Sequence, residues 1–190
     1  MDFRGFVQIV QADLYRQTGS RGLSALVLRM FREPAAACTF WLRTVAWLRS
    51  ERSALRLLLP LAALIKRHME RKYDFSIPAS VPIGPGLHVV HHHGGIGISP
   101  LCGRIGRNCT INPAVFLAEV NRGPHTGAPS IGEDVFIGAG AKVIGNVTIG
   151  SNVAIGANAV VNKDVPDNAV VGGVPATILS FNGAATLTRW

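Results

Sequence analysis

Three consecutive imidazoles, His91, His92 and His93, are the densest group of reactive side chains in this 190-residue sequence. An imidazole titrates near neutrality, so it can take a proton from an incoming group and return it within one reaction. Gly94 and Gly95 follow at once, and residues without a Cβ let backbone N–H donors approach a developing negative charge. Neighbouring strand residues point to opposite faces, so a contiguous triplet cannot chelate a metal as one unit. His125 is the nearest further imidazole and falls in a loop, so no metal is expected. Asp74 and Glu119 are carboxylates available to orient a basic imidazole, and each is equally well a plain surface charge. Cys38, Cys102 and Cys109 are odd in number and lack CxxC spacing. That pattern predicts reduced thiols in a cytoplasmic setting rather than a disulfide framework or zinc site.

The residues around the triplet repeat every six. From Ile131 the apolar positions are Ile131, Ile137, Val143, Ile149, Ile155 and Val161. A second series lies four residues after each: Val135, Ala141, Val147, Val153, Ala159 and Val165. Earlier hexads keep the rhythm at Ile77, Ile83 and Val89, then at Ile105, Ile111 and Leu117, with Val81, Leu87, Cys109 and Val115 as second positions. A period of six is neither helical nor simply alternating, and fixed-period self-similarity marks a solenoid. Each hexad reads as a short strand plus a turn, three hexads as one coil of a triangular prism. The first residue of each hexad then stacks inside on its equivalent one coil away, about 4.8 Å distant. Cys109 is expected to be a small core residue. The triplet departs from the rhythm, since its segment holds one residue too many. Residues 118–130 interrupt the hexads as a loop, and such protrusions on a rigid scaffold carry function.

The first third has a helical period. Leu23, Leu26, Val27 and Met30 recur at spacings of three and four, as do Phe40, Thr44, Trp47 and Leu48, then Leu55, Leu58 and Leu59. Pro34 and Pro60 punctuate these runs, and Arg43, Arg49, Arg52 and Arg56 fill the positions between them. Residues 1–80 carry 13 Lys+Arg against 6 Asp+Glu, a net +7 of the total +8, so the basic character belongs to this segment. Such helices can pack on another subunit or lie peripherally on the inner face of a membrane. No aromatic-interleaved basic motif points to nucleic acid. The longest apolar run, Leu57–Ile65, contains Pro60 and is too short to span a bilayer. The expected organisation is a helical segment at 1–75, a β-helix at 76–180 and a tail at 181–190.

The hexads, with IGAGAKVIG (137–145) and GGVPA (172–176), resemble the hexapeptide-repeat acyltransferases. The resemblance implies a left-handed parallel β-helix, a homotrimer, acetyl-CoA as acetyl donor and one strand histidine as general base. HHHGGIGISP (91–100) is similar to the His-x-x-Gly-Ile segment of serine acetyltransferases, and more similar to the His-x-Gly-Gly-Ile segment of capsular and colanic-acid polysaccharide O-acetyltransferases. NRGPHTGAPSIG (121–132) resembles the Asn-Arg-Gly loop of the polysaccharide enzymes, and residues 28–49 resemble their helical leader. Counting forward from IGPG (83–86) places the base at His91; counting back from Gly95-Ile96 places it at His92; His93 is the third alternative. Serine acetyltransferases supply an Asp about 15 residues upstream; the matching position is Ser76, with Asp74 two residues away. By the same resemblance Ala139, Ala157, Lys163 and Pro175 are expected to contact CoA, with Lys163 either reaching a phosphate or serving as a turn residue. Glu119, Asn121 and Arg122 are expected at the acceptor. The implied function is acetyl transfer to a hydroxyl of a small or lipid-linked sugar in capsule or exopolysaccharide synthesis. The alternatives are serine O-acetylation in cysteine biosynthesis and a non-catalytic β-helix scaffold.

Overall fold

The structure, a computed structural model, describes residues 2–19, 33–90 and 94–188. The helical reading of Leu23–Met30 falls outside them. Among the described residues three longer helices precede the strands: α1 (Phe3–Thr18), α2 (Pro34–Ser50) and α3 (Leu59–Tyr73), the last entered through a 3-10 turn at Ala54–Leu58. Asp2 caps α1 by accepting from the Gly5 amide at 2.9 Å, and Gly19 ends it in the left-handed region. Pro34 and Pro60 lie in the first turns of α2 and α3, where a missing N–H costs nothing. Phe6, Val10 and Leu14, four residues apart on α1, pack on Val45, Trp47 and Leu48 of α2.

After α3 the chain winds into a three-sided parallel β-helix of five coils. One face is β1 (Phe75–Ser76), β3 (Ile96–Ile98), β5 (Val115–Ala118), β8 (Lys142–Ile144) and β11 (Val160–Val161), in that order. The next face is the column Ile83, Ile105, β6 (Ser130–Ile131), β9 (Thr148–Ile149) and Val165. The last is β2 (His88–Val89), β4 (Thr110–Ile111), β7 (Phe136–Ile137), β10 (Ala154–Ile155) and β12 (Val170–Gly173). Strand β13 (Ala176–Ser180) folds back antiparallel on β12, and a short helix α4 (Ala185–Thr188) follows.

The hexad expectation holds along the core. Ile111, Ile137 and Ile155 are in register on one face and fully buried. Val135, Ala141, Val153 and Ala159 of the second series are equally buried, and so is Cys109. A buried Ile or Val of this kind contributes about 1.5–3 kcal/mol. Glycine follows the first position for a steric reason. A Cβ on Gly132 would lie 2.5 Å from the Gly150 carbonyl oxygen one coil on, and one on Gly106 2.2 Å from that of Gly132. One position departs from the reading. Val165 pairs with Ile149, so it occupies a first position rather than a second. The last corner is therefore two residues short, and Ala169 takes the vacated role with full burial.

The helices close the first coil. That coil has no coil before it, so its backbone groups need other partners. The Asp13 carboxylate accepts from the amides of Gly86 at 2.8 Å and Leu87 at 2.9 Å. Arg43 donates to the carbonyls of Ile83 and Gly84, both at 2.6 Å. The two side chains also pair with each other at 2.7 Å, both buried. Arg43 is thus not on the solvated helix face where the periodicity placed it; it plugs the end of the prism. Burial pushes the Asp13 carboxyl up from its ordinary range, while the Arg43 guanidinium and the two amide donors pull it back. Arg16 reaches further, donating to the Thr110 hydroxyl at 2.8 Å.

Candidate active site

The three adjacent histidines, including both candidate bases His91 and His92, lie outside the described residues, but the framework on either side of them is described. Strand β2 pairs with β4, and β3 with β5. Nine positions separate His88 from Gly97, whereas their partners Thr110 and Phe116 are six apart. The connection carrying the imidazoles is therefore three residues longer than its neighbour, not one. The segment re-enters the described structure at Gly94 and Gly95, with φ of 105° and 74°. Both angles are left-handed, which glycine alone adopts without strain.

Asp74 stands directly against this point. A Cβ on Gly95 would lie 2.6 Å from Asp74 Oδ2, and the Asp74 carbonyl accepts from the Ile96 amide at 2.9 Å. Asp74 is the left-handed residue ending α3, with φ 51° and its own N–H donating to the Glu70 carbonyl. A carboxylate at a helix C-terminus opposes the helix dipole, and Gly or Asn is the usual residue there. Asp74 thus breaks a local rule at the junction of helix and first coil. Ser76, the position matched by the resemblance, is on β1 and exposed.

The other expected residues divide between two edges of the prism. Gly94, Pro113, Ala139 and Ala157 lie on the edge leading into the β3–β5–β8–β11 face. Gly94 meets Pro113, and the Ala139 carbonyl accepts from the Asn158 amide at 2.8 Å in the next coil. Ala139 and Ala157 are exposed, and Pro175 is exposed in the hairpin beyond them. The side chains of Ala139 and Ala157 stop at Cβ, and the Lys142 ammonium donates to the Gly140 carbonyl beside them at 3.1 Å.

Lys163, Glu119, Asn121 and Arg122 lie on the opposite edge of the same face. Lys163 is exposed beside Asp164, whose carboxylate accepts from the Thr148 amide at 2.7 Å. The loop after β5 is a small hairpin in which Val120 and Gly127 exchange backbone hydrogen bonds at 2.8 and 2.9 Å. Its His125 carbonyl accepts from the Asn146 amide at 3.0 Å, which seats the loop on the coil below. Asn121 and Arg122 are exposed on it, and the Ser99 hydroxyl donates to the Glu119 carboxylate. A three-residue strand, roughly 10 Å, separates this loop from Gly95 within one chain. The structure thus brings Asp74 against Gly95 and leaves Glu119 beside Ser99, past the other end of β3. Among the described residues no group of three or more His, Cys, Asp and Glu side chains could hold a metal ion. Helix α1 and the Asp13–Arg43 plug were missed by sequence reasoning. Asp2, Gly19 and the four-residue spacing of Phe6, Val10 and Leu14 could have revealed the helix.

Fold and edge together define a hexapeptide-repeat β-helix. Residues 128–163 match the family model described as bacterial transferase hexapeptide, six repeats. A serine acetyltransferase from Staphylococcus xylosus is 41% identical over 108 residues, which cover 54% of this chain and 50% of that protein. One from Bacillus pumilus (strain SAFR-032) is 38% identical over 94 residues, covering 50% and 43%. The chain therefore spans about half the length of these relatives. Among solved structures, a Neisseria gonorrhoeae serine acetyltransferase superposes with a TM-score of 0.74 at 27% identity, covering 95% of this chain and 70% of that one. A serine acetyltransferase in complex with CoA gives a TM-score of 0.70 at 27% identity, covering 92% and 68%. These matches overturn the expected sugar acceptor and the role in capsule synthesis. The polysaccharide reading rested on two short segments, 91–100 and 121–132, and on a leader, whereas the serine acetyltransferase likeness extends over 108 residues.

Proposed function

We propose that the chain transfers the acetyl group of acetyl-CoA to the hydroxyl of serine. The 41% identity to a serine acetyltransferase over 108 residues carries this reading. An imidazole of the triplet, His92 or His91, removes the hydroxyl proton as the serine oxygen attacks the thioester carbonyl. The tetrahedral oxyanion collapses with loss of the CoA thiolate, which takes the proton back from the imidazolium. Gly94 and Gly95 let backbone donors reach the oxyanion. Asp74 orients the basic imidazole and stabilises its protonated form; its contact with Gly95 supports that role. Acetyl-CoA supplies the activated acyl group, with pantetheine along Ala139 and Ala157 towards Pro175.

The working unit in this reading is a homotrimer. The two edges flanking one face hold different parts of the expected site, so a second copy is needed to bring the loop bearing Asn121 and Arg122, with Lys163, beside another copy's histidine edge. Purified protein with acetyl-CoA and L-serine tests the proposal by release of the CoA thiol and mass detection of O-acetylserine. Serine-dependent release that is lost in either His92→Ala or His91→Ala is expected. Thiol release that is indifferent to L-serine defeats it. Asp74→Asn is expected to lower kcat about tenfold and shift the acidic limb of its pH profile, with KM for acetyl-CoA little changed.

A further inference from the structure

The outer face of the turn at Ala54–Leu58 and of α3 combines bare leucines with clustered cations. Helix α3 turns Ala62 and Lys66 inward, with Leu59, Ile65 and Met69 half-buried beside them. Its opposite side leaves Leu57 at 82%, Leu58 at 52%, Leu61 at 57% and Leu64 at 64% exposure. Pro60, Ala63, Leu64 and Arg67 line a shallow groove there. Four adjacent bare leucines exceed the scattered apolar exposure normal for a soluble surface.

The charges bordering this patch are mostly positive. Arg52 and Arg56 precede it, and Arg67, Arg71 and Lys72 follow it, all exposed. Of the nearby carboxylates, Glu51 and exposed Asp74 are outnumbered by the five cations. Glu70 pairs with Lys66 on the packed side, and Glu51 accepts from the Ser53 hydroxyl. A second copy of the same face laid on the first would bring these five cations against five more. Nucleic acid would satisfy the cations but leave the leucines in water. We propose that this face docks on an anionic lipid bilayer, the leucines entering the acyl boundary and the flanking arginines meeting headgroup phosphates. Among the described residues no helix is long and apolar enough to cross a membrane, so the contact is peripheral. It does not rest on the transferase reading.

Co-sedimentation of the full chain with vesicles tests this. Phosphatidylcholine vesicles are compared with vesicles in which about one-third of the lipid is phosphatidylglycerol. The anionic vesicles are expected to bind the protein, and raising the salt to 0.5 M to release it (on the order of a 3–5 Å screening length). Arg56→Gln with Arg67→Gln is expected to weaken binding about twenty-five-fold, near fivefold for each cation. Leu57→Ser, Leu61→Ser and Leu64→Ser together should abolish binding with the thermal midpoint unchanged, since these side chains are already exposed. Failure of the wild-type chain to bind anionic vesicles, or equal binding to neutral ones, overturns the proposal. So does an assembly in sedimentation that the leucine variant dissolves while vesicles stay empty, which would assign the face to a second copy.

Discussion

The later coils and the earlier coils obey the same rule with different strictness. From β7 to β10 the repeat is 18 residues, three hexads without interruption, whereas from β4 to β7 it is 26 and from β2 to β4 it is 22. The extra residues do not disturb the register, because they leave at corners and return to the same stacked positions. The regular coils supply a column that holds itself together. One irregular corner puts the Asn121–Arg122 loop on its surface, and another lies between β2 and β3, where the histidines fall in the sequence. Regularity is therefore where the packed core resides, and its interruptions carry the residues proposed for the chemistry.

Substitutions on the two sides of this contrast should fail in different ways. The largest effect is expected at an interruption. His92→Ala, or His91→Ala if that is the base, should lower acetyl transfer about 10²- to 10⁴-fold, with thermal unfolding unchanged; a matching fall in melting temperature would break the contrast. Arg43→Ala should cost stability instead, about 3–5 kcal/mol, because it leaves the Asp13 carboxylate buried without its partner. Denaturant unfolding measures that loss. Ile137→Ala, inside the regular column, should cost about 2–5 kcal/mol by opening a cavity. Gly132→Ala forces a Cβ to within 2.5 Å of a backbone oxygen and should cost about 1–3 kcal/mol. Gly123→Ala, in the loop with open space around it, should cost about 1 kcal/mol through its φ of 92° alone.

The smallest effect concerns the thiols. Burial pushes Cys38 and Cys109 up to about 12 and Cys102 up to about 11. All three should resist a thiol reagent at pH 8 until the protein is unfolded. Folded values above the unfolded ones mean that these groups favour the folded state below pH 9. That contribution should fade as the pH rises through 11 and 12, and an alkaline unfolding titration reads it.

The core was legible in the sequence because a six-residue period admits few structures, and nearly every first and second position is buried where the spacing put it. Val165 escaped because a corner can lose two residues without an apolar position disappearing. The histidine corner escaped for the opposite reason. Its three extra residues are visible only when β2 and β3 are aligned with the strands they pair with. Asp74 carries no pattern of its own, and only the end of α3 brings it to Gly95. Arg43 looked like one more basic residue on a helix, since the backbone groups it satisfies belong to a coil 40 residues on. The acceptor was misassigned from short segments, because stretches of that length say little about which hydroxyl is bound.

The contact between Arg16 and Thr110 spans 94 residues of chain. At about 5–20 residues per second, a ribosome takes about 5–20 s to deliver the second partner after the first. For that interval Arg16 has no Thr110 to meet, and α1 waits beside an incomplete prism. Helix α1 can thus pair with α2 long before the coil that Arg16 reaches exists, so its tie to the prism closes late.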